Sequence, residues 1–255
     1  MKFTISILGS GNMAFQLGKA LLKAGQLVME IYSRNEIEGK KLADLLETNF
    51  IQELKNLKKA DIYILAIKDD AVLEISKNIP GYGSLLIHTA GSISINNLQN
   101  KKHRKAVLYP VQTLSKNKEI DFSQIPICIE AELNSDLEIL KSLSILLSNK
   151  IYEINSEQRK VIHIAAVFAC NFPNYLYTAA KQILEKESIP FDIIRPLIME
   201  TALKVQNLYP ENTQTGPAIR DDQTVLKSHE EFLQNNPDLL AVYQLLSDKI
   251  SKSRI

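Results

Sequence analysis

The chain has 255 residues, 45% of them apolar and 23% charged, with a formal net charge of +1. That length suits two modest domains or one large one, with enough apolar side chains to bury a core. The balanced charge creates no field that would attract nucleic acid or an anionic membrane, so neither is expected as a partner. The two cysteines, Cys128 and Cys170, belong to no CxxC pair, and the four histidines, His88, His103, His163 and His229, show no HxH or HxxxH spacing. Both patterns argue against a disulfide framework and against a metal site. The apolar run 3–8 is too short for the core of an export signal, and no run approaches the roughly 18 apolar residues of a membrane span. A cytoplasmic protein is expected.

Through the first half, apolar runs alternate with amphipathic stretches. Buried strands are predicted at 3–8, 28–32 and 61–66, with a short one near 49–52. Helices are predicted at 13–24, 36–47 and 70–78. Further strands follow at 85–88, 106–109 and 125–130, then a helix at 137–148 and a last strand at 150–154. Continuous apolar strands separated by helices imply a parallel sheet covered on both faces.

After residue 155 no strand is expected. Ser156 is placed to cap a helix running to about residue 187. Pro173 must interrupt it, because proline has no N–H and clashes with the carbonyl of Ala169. A helix over 191–208, bent or delayed by Pro196, a long loop over 209–222, and helices over 223–234 and 237–252 complete the chain. The fold class is therefore an α/β Rossmann domain with a doubly wound, mostly parallel sheet (1–154), followed by an all-α domain (155–255).

Gly9-Ser10-Gly11-Asn12-Met13-Ala14 has the form GxGxxA between the first strand and the first helix. Gly9 permits a tight turn, Gly11 lets the backbone approach a diphosphate, and Ala14 allows close helix–strand packing. The diphosphate would sit on the free N–H groups and positive dipole end of that helix. The end of the second strand selects the cofactor. An NAD-preferring domain carries a carboxylate there, whereas this chain has Ser33-Arg34-Asn35. Arg34 would attract a 2′-phosphate, with Ser33 and Asn35 as further donors. The expected cofactor is NADP(H).

The string GSGNMA followed by YSRN resembles the start of pyrroline-5-carboxylate reductases, and the likeness continues through Leu65-Ala66-Ile67-Lys68 and His88-Thr89-Ala90-Gly91-Ser92. The whole chain is more similar to a family of NADP oxidoreductases of unassigned substrate, which join a Rossmann-like domain to a small helical domain of unknown function. The strings carrying this resemblance are HTAGS (88–92), YPVQT (109–113), HIAAVFACNFPNYL (163–176) and TGPAIRDD (215–222). Two positions depart from the family pattern: Tyr109 stands where His is more usual, and Asp221 where Gly is. The resemblance implies the fold, the cofactor and dimerisation, but no particular reaction.

In a doubly wound sheet the ligand lies beyond the carboxyl ends of the strands. Ala66, Ile67 and Lys68 follow one strand there, and His88, Thr89, Ala90 and Gly91 follow the next. These residues are expected to line the nicotinamide half. Lys68 is either an anion contact or a surface lysine, and His88 either an acid–base group or a packed core residue. His163 and Asn171 interrupt an apolar helical run, each as a ligand group or a satisfied polar residue. In the 215–222 segment, Thr215 offers a hydroxyl, Arg220 a carboxylate fork and Asp222 an orienting anion, unless Arg220 and Asp222 simply pin the loop. The candidate catalytic residues are thus His88, His163, Asn171 and Arg220, with Thr215 and Asp222 on the substrate side.

β-Hydroxyacid dehydrogenases of related architecture place Lys and Asn one turn apart on the interdomain helix. Here Lys160 is followed four residues on by Ile164, and Lys181 by Glu185, so that mechanism is not expected. The leading function is NADP(H)-dependent hydride transfer to a C=N or C=O bond of a small metabolite. The alternatives are a non-catalytic NADP(H) sensor and hydride transfer between NADP and a deazaflavin. The apolar run 162–172 predicts burial on more than one side, and the small helical domain predicts a homodimer.

Overall fold

The computed structural model describes residues 2–253 and divides into two compact units, Met1–Asn171 and Phe172–Ile255. The first unit is built on one eight-stranded sheet. Its strands are β1 (Thr4–Leu8), β2 (Leu27–Tyr32), β3 (Asn49–Ile51), β4 (Ile62–Leu65), β5 (Leu85–His88), β6 (Arg104–Pro110), β7 (Ile127–Ala131) and β8 (Ile151–Glu153). The spatial order is β3-β2-β1-β4-β5-β6-β7-β8. The first six strands are all parallel and follow the doubly wound dinucleotide-binding order. β7 runs antiparallel to β6, and β8 parallel to β7.

Period-two alternation sorts each strand onto two covered faces. Ile5, Ile7, Ile64, Ile87 and Leu108 pack on one face beneath α1 (Asn12–Lys23), α2 (Glu36–Leu45) and α4 (Asn134–Ile145). Leu8, Tyr63, Leu65 and Leu86 pack on the other beneath α3 (Asp69–Asn78). This is why the central strands read as continuous apolar runs.

The compact unit extends past residue 154, the boundary expected from the sequence, because α5 (Ser156–Ala166) is tied to the sheet. Asn155, not Ser156, caps this helix, in a capping box with Gln158. Ser156 has another task. Its hydroxyl donates to the Glu130 carboxylate at 2.9 Å and accepts the Ile95 N–H at 3.0 Å. Arg159, one turn on, is fully buried. It forms an ion pair with Glu130 of β7 and donates to the Ile93 carbonyl at 2.6 Å and the Ser156 hydroxyl at 3.2 Å.

Pro173 has the disruptive effect expected of it. A π-helical turn, Val167–Asn171, follows α5, and α6 (Phe172–Lys186) starts at the residue before the proline. An extra residue in the turn is one way a helix absorbs a missing N–H. Within the single chain the run 162–172 is less buried than its apolarity predicts: Ile164, Phe168 and Phe172 are exposed.

The second unit continues with α7 (Arg195–Asn207), α8 (Pro217–Arg220), α9 (Gln223–Leu233) and α10 (Pro237–Lys252). Pro196 lies in the first turn of α7, where a missing N–H does no harm, and a short 3₁₀ turn, Phe191–Ile194, precedes it. The segment expected as one long loop contains the single turn of α8. Asp221 closes that turn with φ +60°, the left-handed region that glycine would occupy at least cost. The interior of this unit is small, centred on Ala179, Leu233 and Leu239. No residue of α7 is buried, and its Leu197, Met199 and Leu203 are 65%, 60% and 52% exposed.

The Arg159–Glu130 pair supports a first prediction. Glu130→Ala leaves a buried guanidinium without its counter-charge, a change that costs on the order of 3–5 kcal/mol. Urea unfolding should show that loss. Glu130→Gln, which retains an acceptor for Ser156, should lose less. Wild-type stability in both variants would refute the assigned role.

Candidate functional site

Parallel pairing places the ends of β1, β2 and β4 side by side, with Leu8 opposite Tyr32 and Leu65. The glycine turn leaves β1 at this edge. Gly9 has φ +127°, and a Cβ there would stand 2.1 Å from the Ala66 carbonyl oxygen, so a side chain is excluded twice over. Gly11 differs: its backbone is ordinary extended chain, and a Cβ would meet nothing within 4 Å. The space in front of it is open.

That space faces the start of α1. Gly11 supplies no side-chain cap, and the first turn of α1 carries no acidic residue. The leading N–H groups and the positive helix end are therefore available to an anion. Ser10 and Ser33 are hydrogen-bonded through their hydroxyls at 2.8 Å, which ties the glycine turn to the end of β2. Ser33 also accepts the Asn35 N–H at 3.1 Å, and Asn35 caps α2 by accepting from the Glu38 N–H at 3.1 Å. Ser33 and Asn35 thus shape the turn, beyond any donor role. Arg34, between them, is exposed and forms no ion pair among the described residues. Gly9 to Met13, Ser33 to Asn35 and Ala66 to Lys68 line one groove of about 490 Å³. Ala66, Ile67 and Lys68 therefore share this groove with the glycine turn. Lys68 is exposed at the start of α3.

The neighbouring strand ends are built differently. Thr89 and Ala90 are buried, and the Thr89 N–H donates to the Leu65 carbonyl at 3.2 Å. His88 is fully buried, and its Nδ1 accepts the Ala90 N–H at 3.2 Å. Burial, with the Arg159 charge nearby as a second cause, pushes its pKa down to about 3. A sealed neutral imidazole exchanges no proton with a substrate, so the acid–base role considered for His88 is withdrawn in favour of packing. Ser92, beyond the buried loop, donates to Asp69 at the start of α3.

His163 has a different setting. It lies one turn after Arg159 on α5 and is half-buried. Its Nδ1 is 3.2 Å from the hydroxyl of Tyr109, near the carboxyl end of β6. A Cβ on Gly91 would come within 2.7 Å of both this nitrogen and Tyr109 Cζ. The HTAGS loop, β6 and α5 therefore meet at one point. Tyr109 was not among the sequence candidates, although the motif comparison singled out its position. Arg159 and Glu130, which hold α5 there, gave no local signal.

Asn171 is the last residue of the π turn and is exposed. In the second unit, Thr215 lines an apolar pocket of about 330 Å³ with Ala218, Leu233 and Leu239. Arg220 is exposed at the end of α8. Asp222 caps α9 by accepting the Val225 N–H at 3.2 Å. It forms no ion pair with Arg220 among the described residues, so its place as an orienting anion is corrected to that of a helix cap. Lys181 and Glu185, the pair lacking the dehydrogenase dyad, form an exposed ion pair at 3.1 Å.

Residues 4–92 match the family described as NADP oxidoreductase, coenzyme F420-dependent, and residues 125–250 match a domain of unknown function, DUF2520. A crystal structure of a candidate NADP oxidoreductase from Bacteroides fragilis is 41% identical over 98% of both chains, with a TM-score of 0.93. The chain belongs to this NADP oxidoreductase family. The cofactor of the family is NADP(H), and the uncapped α1 terminus, the space at Gly11 and the unpaired Arg34 fit its diphosphate and 2′-phosphate. More distant structures share the fold. A 1-pyrroline-5-carboxylate reductase from Streptococcus pyogenes is 15% identical over 98% of this chain and 99% of its own, with a TM-score of 0.64. A reductive aminase from Aspergillus terreus, in complex with NADPH, is 12% identical over 99% and 94%, with a TM-score of 0.70. Among curated proteins no relative matches.

Two predictions follow from this geometry. Gly11→Val should abolish NADP(H) binding by titration while leaving circular dichroism native, whereas Gly9→Ala should destabilise the fold itself. Retained nucleotide affinity in Gly11→Val would refute the cradle. For His88, the unfolded imidazole titrates near 6.5 and the folded one near 3. Between those values the unfolded chain binds the extra proton, so stability must fall as pH drops, by at most about 1.4 kcal/mol per unit. His88→Asn, whose Oδ1 can replace Nδ1 as acceptor, should flatten that slope in urea titrations.

Proposed function

We propose that this oxidoreductase uses NADPH to reduce a C=N or C=O bond of a small polar metabolite. The observation that carries the reading is the open, uncapped start of α1 in one groove with Arg34. In that groove the α1 N–H groups bind the diphosphate, and Arg34 binds the 2′-phosphate through charge-assisted hydrogen bonds. The bound cofactor supplies the hydride. The fold shared with a pyrroline-5-carboxylate reductase and a reductive aminase supports C=N as the first bond to try. On the substrate side, Asn171, Thr215 and Arg220 stay the proposed polar contacts, with Lys68 for an anionic group.

We also infer a homodimer formed through the second unit. The supporting observation is α7, which buries no residue of its own yet presents Leu197, Met199 and Leu203. Apolar side chains in that number on one short helix imply a covering surface.

The decisive assay is NADPH oxidation with a panel of cyclic imines and keto acids. NADPH should bind more tightly than NADH, and Arg34→Ala should remove most of that preference, about 1–3 kcal/mol for lost charged hydrogen bonds. Equal wild-type titrations with the two cofactors would overturn the assignment of Arg34. Light scattering should give a dimer at micromolar concentration, and Leu203→Glu should weaken it. A wild-type monomer would remove the dimer.

A further inference from the structure

The hydroxyl of Tyr109 and the ring of His163 form one hydrogen-bonded pair against Gly91 at the carboxyl edge of the sheet. The strand order says which end of a dinucleotide lies nearby. Arg34 marks the 2′-phosphate end beyond β2, and the glycine turn marks the diphosphate at the β1/β4 switch point. A dinucleotide bound in that orientation would carry its reactive ring towards the ends of β5 and β6. At that edge His88 is sealed, Thr89 is held by Leu65, and Ser92 is engaged with Asp69. Lys68 stands in the phosphate-side groove. The Tyr109–His163 pair is the group left with a transferable proton.

We propose that Tyr109 is the catalytic proton donor of the reduction and that His163 is the positioning residue that re-supplies it. This inference rests on the reductase reading above. In the step, the substrate carbon takes a hydride from the nicotinamide C4 as the C=N or C=O π bond breaks. The substrate nitrogen or oxygen takes the Tyr109 proton, and its new N–H or O–H bond completes the reduction. The phenolate oxygen regains a proton by way of His163 Nδ1, and the His163 ring recovers that proton from solvent. The net reaction consumes NADPH and one proton and releases NADP⁺.

The surroundings suit this assignment. Tyr109 is nearly buried, and burial raises its pKa, with Cys128 of β7 and Asp69 of α3 acting in the same direction. A phenol that stays protonated in the resting state keeps its proton for transfer. Arg159, one turn before His163, opposes the shift and lends positive charge towards the phenolate formed in the step. The ion pair of Arg159 with Glu130 also fixes the helix that carries His163. Cys170 is the remaining titratable neighbour, on the π turn, and it too raises the phenol.

The test compares full-length wild type, Tyr109→Phe and His163→Gln on two probes: 2-methyl-1-pyrroline, and its N-methylated iminium cation, which needs a hydride but no proton. Tyr109→Phe should reduce the imine at least about a hundredfold more slowly, within the range for loss of a general acid. Its rate on the permanent cation and its NADPH affinity should stay within about twofold of wild type. His163→Gln should show the same pattern with a smaller loss. Equal losses on both probes would show a structural role, and an unchanged imine rate would show no role; either overturns the donor assignment while the reductase reading stands. No turnover of any imine or keto acid by wild type overturns the reductase reading and this assignment with it. A substrate-free measurement stands beside the kinetics. The NMR signals of the His163 ring nitrogens should shift in Tyr109→Phe as the hydrogen bond is lost, and unshifted signals would overturn the pair as a hydrogen-bonded unit.

Discussion

The buried guanidinium of Arg159 is the constraint on which the Tyr109–His163 edge depends. It brings together three parts of the chain that are far apart in sequence: Glu130 on β7, the carbonyl of Ile93 after the HTAGS loop, and Ser156 at the start of α5. A charge inside a protein must be neutralised and hydrogen-bonded, or its desolvation is ruinous. Satisfying Arg159 therefore fixes the angle at which α5 leaves the sheet. His163, one turn later on the same helical face, is carried against Gly91 and Tyr109 as a result.

The cofactor groove rests on a different principle, that of groups left unused. The first turn of α1 has neither a side-chain cap nor an acidic residue, and Arg34 forms no ion pair among the described residues. Asn35, Asn155, Asp222 and Asn236 cap α2, α5, α9 and α10, whereas α3, α4, α7 and α8 share with α1 the lack of a side-chain cap. What sets the α1 start apart is its place: it opens on the groove that the glycine turn shares with Arg34, where free N–H groups suit an anion. The two motif glycines divide the work. Gly9 serves the fold, because only a missing side chain lets β1 and β4 approach so closely. Gly11 serves the ligand, because nothing of the protein itself occupies the space before it.

The two units also differ in how far they bury themselves. The sheet of the first unit is covered on both faces, and its central strands are sealed. The second unit has a small interior and leaves α7 uncovered. Small helical assemblies have a high ratio of surface to volume, and the apolar faces here exceed what one copy of the unit encloses.

The local signals in the sequence were enough for the strands, most helices and the identity of the cofactor. Periodicity places a side chain on a face, and glycine, proline and capping residues act over a few positions, so the eight strands, the GxGxxA turn and the break at Pro173 were all legible. The roles of particular polar residues were not, because each depends on a partner distant in the chain. His88 read as an acid–base candidate until burial made it neutral, and Asp222 read as an anion for Arg220 until it proved to cap α9. Tyr109 and His163 are 54 residues apart, and Arg159 and Glu130 are 29 apart. Sequence alone set the fold class and the cofactor, because those follow from short-range backbone geometry and charge. Only the tertiary structure decided which polar side chains meet and which are sealed, because desolvation and hydrogen bonding exist once distant segments have closed around them.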